Sequence, residues 1–453
     1  MWLRPGKTHT CIRICMLARF RMDERHRCVQ LSVNPSRGLM DEKFVILVQN
    51  APPDSELTVY ALHQCEDGHG WDAFAHYISD ATGRVNVSED CSLGGTYSGI
   101  EPMGLLWSLR PVPGSQPGLR LRKKNVQEPM LVTVSVYEGH RKEGFAELVP
   151  LASALVERWY MSPGVRRIPV TKNGLTATLF LPPGPGPFPA IMDLWGGGGQ
   201  LVEYRAALLA SHGIAALTID YLTPMITKET GEMVNLQYFE TAYESLQEHP
   251  QILGSRIAML GFSLGTTVTL RMAAYSEVMK LRCVVCISGS HVQPVDKDFE
   301  DPLKLIKNAA KIRINEENQE IYRDLVLPIT SDPSKKVDVG RLQCPLLLIV
   351  GGDDMSWAAQ EAANDEMMER AGNSHLLTIL SYPEAGHLIE PPYTPHTRAS
   401  KFRSASASVM VLWGGETLAH SRAQEDSWKK MLLFLRVNLF GGTRPGGMTI
   451  SYL

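Results

Sequence analysis

Gly261-Phe262-Ser263-Leu264-Gly265 follows directly on the apolar run Ile257-Ala258-Met259-Leu260 and leads into a helix-like stretch, Thr266 to Tyr275. A Gly-x-Ser-x-Gly set between a strand and a helix is a nucleophile elbow. The turn is tight enough to strain the serine backbone, and it lifts the hydroxyl clear at the carboxyl end of the strand. Glycine is needed at 261 and 265 because a Cβ at either place would meet the crossing strand or helix. A serine that merely capped a helix would leave both glycines and the buried strand unexplained.

A serine hydroxyl is a poor nucleophile until a base takes its proton. In the α/β-hydrolase fold the partners follow in the order serine, acid, histidine. Downstream, Cys344-Pro345-Leu346-Leu347-Leu348-Ile349-Val350 reads as a buried parallel strand closed by Gly351-Gly352-Asp353-Asp354. The loop after such a strand carries the orienting carboxylate. Asp354 is the choice, with Asp353 as competitor. A further strand, Leu376 to Tyr382, leads to Pro383-Glu384-Ala385-Gly386-His387. The expected roles are Ser263 as nucleophile, His387 as general base and then acid, and Asp354 as the group that fixes the imidazole tautomer. His291 is a rival base because it also follows a strand, Val284 to Ser288. Its position does not match the one the fold reserves, and it is expected at the rim.

An oxyanion must also be stabilised, and backbone N–H groups usually do this. One donor is expected from Leu264. The second is expected in Asp193-Leu194-Trp195-Gly196-Gly197-Gly198-Gly199-Gln200, which lies between a strand-like run, Pro189 to Leu194, and a helix, Val202 to Ser211. Gly197 and Gly198 are the candidates, although sequence does not decide which glycine supplies the amide. A flexible tether is the competing reading, and the flanking strand and helix argue against it.

The chain also resembles a known family. Leu201-Val202-Glu203-Tyr204-Arg205-Ala206, Tyr382-Pro383-Glu384-Ala385-Gly386-His387-Leu388-Ile389-Glu390-Pro391-Pro392-Tyr393 and Trp413-Gly414-Gly415-Glu416 look like the type-I acyl-CoA thioesterases. That family includes bile acid-CoA:amino acid N-acyltransferase. Gly99-Ile100-Glu101-Pro102-Met103-Gly104-Leu105-Leu106-Trp107-Ser108-Leu109 and Glu157-Arg158-Trp159-Tyr160 resemble its amino-terminal domain. The likeness spans about residues 30 to 440, and Ser263, Asp354 and His387 match the family's nucleophile, acid and base.

A chain of 453 residues exceeds what one core usually supports. Short β-rich runs (Phe44 to Val48, Leu57 to Leu62, Leu131 to Val136) beside turns such as Asn50-Ala51-Pro52-Pro53 and Asp80-Ala81-Thr82-Gly83 fit an immunoglobulin-like β-sandwich. The expected organisation is an extension at 1–29, a sandwich at 30–162, an α/β-hydrolase catalytic domain at 163–442 and a tail at 443–453. The boundary falls near Ser162-Pro163-Gly164, while Pro182-Pro183-Gly184-Pro185-Gly186-Pro187 marks the loop into the catalytic sheet. A closing helix, Ala423 to Phe440, carries Trp428, Leu432, Leu435 and Leu439 on one face as a core stripe.

Composition narrows the partners. With 44% hydrophobic and 21% charged residues and a net charge of −3, nothing points to nucleic acid. No apolar stretch reaches the roughly 18 residues that span a bilayer. The segment between Ser288 and Pro345, with Lys304, Lys307, Lys311 and Arg313, is expected to cap the site, where its cations would attract coenzyme A phosphates. A solvated helix face accounts for them equally well. Cys283-Val284-Val285-Cys286 has a metal-like spacing, but inside a strand side chains three apart point to opposite faces. No metal or cofactor is therefore expected, and a reducing compartment follows, leaving Asn86-Val87-Ser88 an unused glycosylation site. The first 22 residues hold Arg4, Lys7, Arg13, Arg19 and Arg21 with no acid before Asp23, as in a mitochondrial presequence, although Pro5 interrupts any helix. Ser451-Tyr452-Leu453 is similar to the peroxisomal Ser-Lys-Leu signal but lacks its cation. The cytoplasm is the first expectation, with the mitochondrial matrix or peroxisome as alternatives.

The resemblance implies an acyl-CoA substrate. Hydrolysis and transfer to glycine or taurine then compete for the acyl-enzyme. An acyl-cysteine is a thioester that amines attack readily, whereas an acyl-serine is an oxygen ester that favours water by comparison, so Ser263 tilts the expectation to hydrolysis. A non-catalytic acyl-CoA binder would have lost a triad member. A generic carboxylesterase or peptidase would lack the sandwich and the motifs around His387.

Overall fold

The computed structural model describes residues 28–171, 174–197, 201–222, 235–292, 311–365, 372–403 and 408–441. The first nine strands are β1 (Gln30–Asn34), β2 (Arg37–Leu39), β3 (Val45–Gln49), β4 (Glu56–Gln64), β5 (Gly70–Ile78), β6 (Val85–Asn86), β7 (Arg110–Pro111), β8 (Met130–Glu138) and β9 (Ala152–Trp159). They form a six-stranded sheet in the order β2-β9-β8-β4-β5-β7 and a three-stranded sheet in the order β1-β3-β6. Alternation along the strands builds the core between them. Ile46 and Val48 of β3, Val59 and Ala61 of β4, and Val132, Val134 and Val136 of β8 are all buried in one cluster, while Val45 and Leu131 face out. This is the expected sandwich, and its three predicted runs are β3, β4 and β8. Asn86 is buried and its amide donates to Glu89 at 2.7 Å, so the sequon is not presented.

The chain continues through β10 (Arg166–Val170), β11 (Ala177–Leu181), β12 (Phe188–Leu194), β13 (Ala215–Ile219), β14 (Ile252–Phe262) and β15 (Val284–Ile287). Two short strands follow, β16 (Arg313–Ile314) and β17 (Glu320–Ile321), and then β18 (Leu346–Gly351), β19 (Leu377–Tyr382), β20 (Ala399–Arg403) and β21 (Ser408–Leu412). Eight of these form one sheet, β10-β11-β13-β12-β14-β15-β18-β19, antiparallel through β10, β11 and β13 and parallel from β13 onward. Pro182 to Pro187 joins β11 to β12, two strands of this same sheet.

Among the described residues four longer helices cover the sheet: α1 (Tyr204–Ser211), α2 (Leu236–Gln247), α3 (Leu264–Tyr275) and α4 (Thr417–Phe440). Both faces are buried, which is why the parallel strands read as continuous apolar runs. Ala258 and Leu260 of β14 pack with Leu208 of α1 and Trp428, Met431 and Leu435 of α4. Ile257 and Met259 pack on the opposite face with Phe239 and Tyr243 of α2 and Val268 and Met272 of α3. Cys283 and Cys286 fall in different clusters, as their spacing in a strand requires.

Three features depart from the sequence reading. Helix α4 begins at Thr417 rather than Ala423, because Glu416 accepts from the amides of Leu418 and Ala419 and the first turns bury polar His420 and Ser421. A buried polar turn leaves no apolar stripe to read. In its stripe Leu432 is only half-buried, and Met431 is in the core instead. A four-stranded sheet, β16-β17-β21-β20, was not anticipated. In the cationic segment, Lys304 and Lys307 lie outside the described residues, while Lys311 donates to the Leu327 carbonyl and Arg313 pairs with Asp324. Among the described residues no helix is long and apolar enough to cross a membrane.

Candidate active site

The parallel strands aim their carboxyl ends at one rim, where an open α/β sheet builds its site. At the end of β14, Ser263 adopts φ 57° and ψ −122°, a left-handed conformation costly for a residue with a Cβ, on the order of 1–3 kcal/mol. Its amide donates to the Ile287 carbonyl at 2.9 Å, which ties the turn to β15. A Cβ on Gly261 would lie 2.2 Å from the Gly265 carbonyl oxygen, and one on Gly265 would lie 2.7 Å from that of Leu194. The elbow needs both glycines for close approach.

The loop after β19 brings His387 Nε2 within 3.0 Å of Ser263 Oγ, and the loop after β18 brings Asp354 Oδ2 within 2.9 Å of His387 Nδ1. All three side chains are buried. Asp354 Oδ1 is already filled by the amides of Ser356 and Trp357, each at 2.8 Å, so Oδ2 is the atom left to accept the Nδ1 proton. That sets the tautomer with Nε2 free to receive the serine proton. Asp353 faces elsewhere, accepting from the Gly415 amide at 2.7 Å and pairing with Arg398 at 3.1 Å. His291 is buried rather than set at the rim. Its Nε2 meets Asp365 at 2.8 Å, and Lys336 pairs with the same carboxylate.

Two residues that the sequence reading passed over hold this arrangement. The indole N–H of Trp357 donates to Ser263 Oγ at 3.1 Å, so one residue supplies a donor to both the acid and the hydroxyl. His420, on α4, grips the chain on either side of His387. Its Nδ1 accepts from the Gly386 amide at 3.0 Å, and its Nε2 donates to the Leu388 carbonyl at 2.8 Å. Burial, with His396 beside it, pulls the His420 pKa down to about 3, so the ring is neutral as this bonding demands. The His387 ring stacks on Trp413 with centroids 5.6 Å apart, and its amide donates to the Trp413 carbonyl at 2.9 Å. A histidine or tryptophan among apolar neighbours reads as core, so only the quoted stretch beginning at Trp413 pointed this way.

The glycine loop after β12 runs against Ser263. A Cβ on Gly196 would lie 2.6 Å from Ser263 Cβ, whereas one on Gly197 would meet only the Phe402 ring at 3.7 Å. Gly196 is therefore the glycine in closest approach, rather than Gly197, and Gly198 lies outside the described residues. The loop is anchored at both ends by a buried ion pair, Arg205 Nε with Asp193 Oδ1 at 3.0 Å, and the guanidinium lies over the Trp195 ring at 4.9 Å. Leu264 opens α3, so its N–H belongs to the first-turn donors that a helix leaves unpaired. Among the described residues no three His, Cys, Asp or Glu side chains are grouped as a metal ion would need.

A strained serine at a strand–helix elbow, on a largely parallel sheet covered on both faces, defines an α/β-hydrolase. Family models narrow this: residues 41–172 match the acyl-CoA thioester hydrolase/BAAT N-terminal region and residues 234–441 the BAAT/acyl-CoA thioester hydrolase C-terminal region. The chain belongs to the acyl-CoA thioester hydrolase/BAAT family. It is 37% identical to the mouse mitochondrial acyl-coenzyme A thioesterase 2, over 90% of this chain and 89% of that one. It is 36% identical to the mouse peroxisomal succinyl-coenzyme A thioesterase, over 90% and 96%. Against human acyl-coenzyme A thioesterase 1 the identity is 35%, over 90% and 97%. A solved structure, a putative dienelactone hydrolase from Klebsiella pneumoniae, matches with a TM-score of 0.38 and 16% identity, covering 60% of this chain and 97% of that one.

Proposed function

We propose that this protein hydrolyses acyl-CoA thioesters to free acid and coenzyme A through an acyl-Ser263 intermediate. The observation that carries the reading is the 3.0 Å approach of His387 Nε2 to Ser263 Oγ, with Asp354 at 2.9 Å behind it. His387 takes the hydroxyl proton as Ser263 attacks the thioester carbonyl, and the imidazolium that forms is stabilised by Asp354. The Leu264 amide and one from the Gly196–Gly198 stretch receive the oxyanion. The coenzyme A sulfur leaves with the proton from His387. Water, deprotonated by the same imidazole, then attacks the acyl-serine and releases the acid. No cofactor or metal enters these steps.

The same family model covers acyl transfer to amino acids, and the acyl-enzyme is common to both outcomes. Purified protein supplied with palmitoyl-CoA and with choloyl-CoA, each with and without taurine, separates them by product mass. Free acid should dominate throughout, and amide exceeding acid would overturn the assignment. Ser263→Ala and His387→Ala should each abolish turnover with the fold retained.

The two units are proposed to divide near Ser162–Gly164, as residues 30–162 and 163–442. The cytoplasm is the proposed compartment. Co-localisation of the full chain with a mitochondrial or peroxisomal marker would replace it.

A further inference from the structure

A second constellation of buried charge lies where the sandwich meets the hydrolase sheet, away from the triad. In Leu119-Arg120-Leu121-Arg122-Lys123 the two leucines pack against the apolar core, and Arg120 and Arg122 lie near each other and near Glu390. Beside them is a cavity of about 130 Å³, lined by His63, Arg122, Lys123, Tyr160, Tyr204 and Glu390 among others. At roughly 30 Å³ per water it holds about four, enough for a five-heavy-atom oxyanion.

The charges around this cavity do not balance. Glu390 is paired with Arg120, and its other oxygen accepts from the Tyr204 hydroxyl at 2.7 Å. Glu66, also on the wall, is paired with Lys123 at 2.5 Å. Three cations therefore share two carboxylates, and Arg122 is the one left over. Its Nε is buried without a hydrogen-bond partner. Arg120 beside it, and burial, pull its pKa down to about 10, which still leaves it charged at neutral pH. Tyr160, a buried residue, lines the same wall. An unpaired cationic donor beside a polar hollow is the converse of an orphaned acceptor: it fits a ligand that brings acceptors and negative charge.

We propose that this cavity is an anion site in which Arg122, with the Tyr160 hydroxyl, binds a phosphate group. It is separate from the place of bond cleavage. Tyr204 meets Trp195 edge-on at 5.5 Å, Trp195 lies on Phe262 at 4.7 Å, and Phe262 contacts His387 at 5.2 Å, so two further aromatic rings stand between the cavity wall and the catalytic imidazole. Glu390 connects the two places through the chain, three residues beyond His387. Free orthophosphate and the terminal phosphate of a coenzyme A molecule share the required chemistry.

The test uses the full-length protein and no turnover. Thermal unfolding and calorimetric titration are run with inorganic phosphate, and separately with coenzyme A, at constant ionic strength, for the wild type, Arg122→Met and Arg122→Lys. A saturable rise in Tm with phosphate is expected for the wild type. Binding should be weaker by about tenfold or more in Arg122→Met and partly kept in Arg122→Lys, because a charged hydrogen bond is lost in one and retained in the other. An Arg122-dependent response to coenzyme A alone would also support the site and identify the source. In phosphate-free buffer Arg122→Met should unfold at or above the wild-type temperature, since it relieves the repulsion with Arg120. A lower temperature there would make the guanidinium a structural strut and overturn the proposal. So would a wild type that responds to neither ligand, or a response equal in all three proteins.

Discussion

Replacing His420 with asparagine tests whether one neutral, buried ring holds the loop that carries His387. The ring accepts from the Gly386 amide and donates to the Leu388 carbonyl, and burial keeps its pKa at about 3. The unfolded chain protonates histidine near ~6.5. Above that value both states are neutral and the contribution is complete. As the pH falls below it, the unfolded state takes the proton first, and stability drains away until the folded pKa is reached. Over the 1.5 or so units from ~6.5 to pH 5, at ~1.36 kcal/mol each, the loss from His420 alone is about 2 kcal/mol. Asparagine can still accept from the Gly386 amide but does not titrate. It withdraws the 2.8 Å donor from the Leu388 carbonyl and leaves only the long contact from Gln424 Nε2 at 3.5 Å, at a pH-independent cost of about 1–3 kcal/mol. Urea unfolding of both proteins at pH 7 and pH 5 should therefore show the variant less stable at pH 7, with the gap narrowing by about 2 kcal/mol at pH 5. His63 and His291, also lowered by burial, titrate in both proteins and cancel. His396 stacks on His420 at 4.4 Å, so the comparison is repeated in a His396→Gln background. A gap that stays constant with pH would refute the assigned bonding. At pH 8 the variant should also lose kcat with little change in KM, because the loop bearing His387 is less well held.

Gly196→Ala puts a methyl 2.6 Å from Ser263 Cβ and should abolish hydrolysis while leaving the melting curve two-state, which circular dichroism alongside a thiol-release assay will check. Trp357→Phe removes only the N–H aimed at Ser263 Oγ. A neutral hydrogen bond of about 0.5–1.5 kcal/mol converts to a fall of roughly 2- to 13-fold in kcat/KM, and an unchanged value would mean that the donor is idle. Asp354→Asn should lower kcat by on the order of 10⁴ through the wrong tautomer, whereas Asp353→Asn should stay within roughly tenfold and show its effect in stability, through Arg398 and Gly415. Reversed sensitivities would exchange the two acids.

What the sequence disclosed and what it hid divide along a physical line. The meeting of Ser263, Asp354 and His387 was legible because each stands just past an apolar strand, on a loop that a glycine makes tight. The sheet then brings strand ends to one rim whatever else the chain does. The residues that tune the site sit within elements whose local pattern has another cause. Trp357 packs in an apolar cluster with Leu264 and Val350, so it looks like core, yet one edge of its ring reaches Ser263 Oγ. His420 lies in a first helical turn whose buried face is polar, so neither the turn nor its role left a stripe to follow. Gly196 differs from Gly197 only in what lies across from it, a contact set by the packing of β12 against β14 and not by the run of glycines itself. The hairpin of β20 and β21 escaped notice for a related reason, since five-residue strands carry little pattern and its sheet is completed by Glu320, some ninety residues earlier, pairing with Val411. Long-range pairing thus decides how the imidazole is held: Trp413, immediately after β21, both stacks on His387 and accepts its amide hydrogen bond. A substitution that weakens the β20–β21 hairpin should for that reason reach catalysis without touching a triad atom.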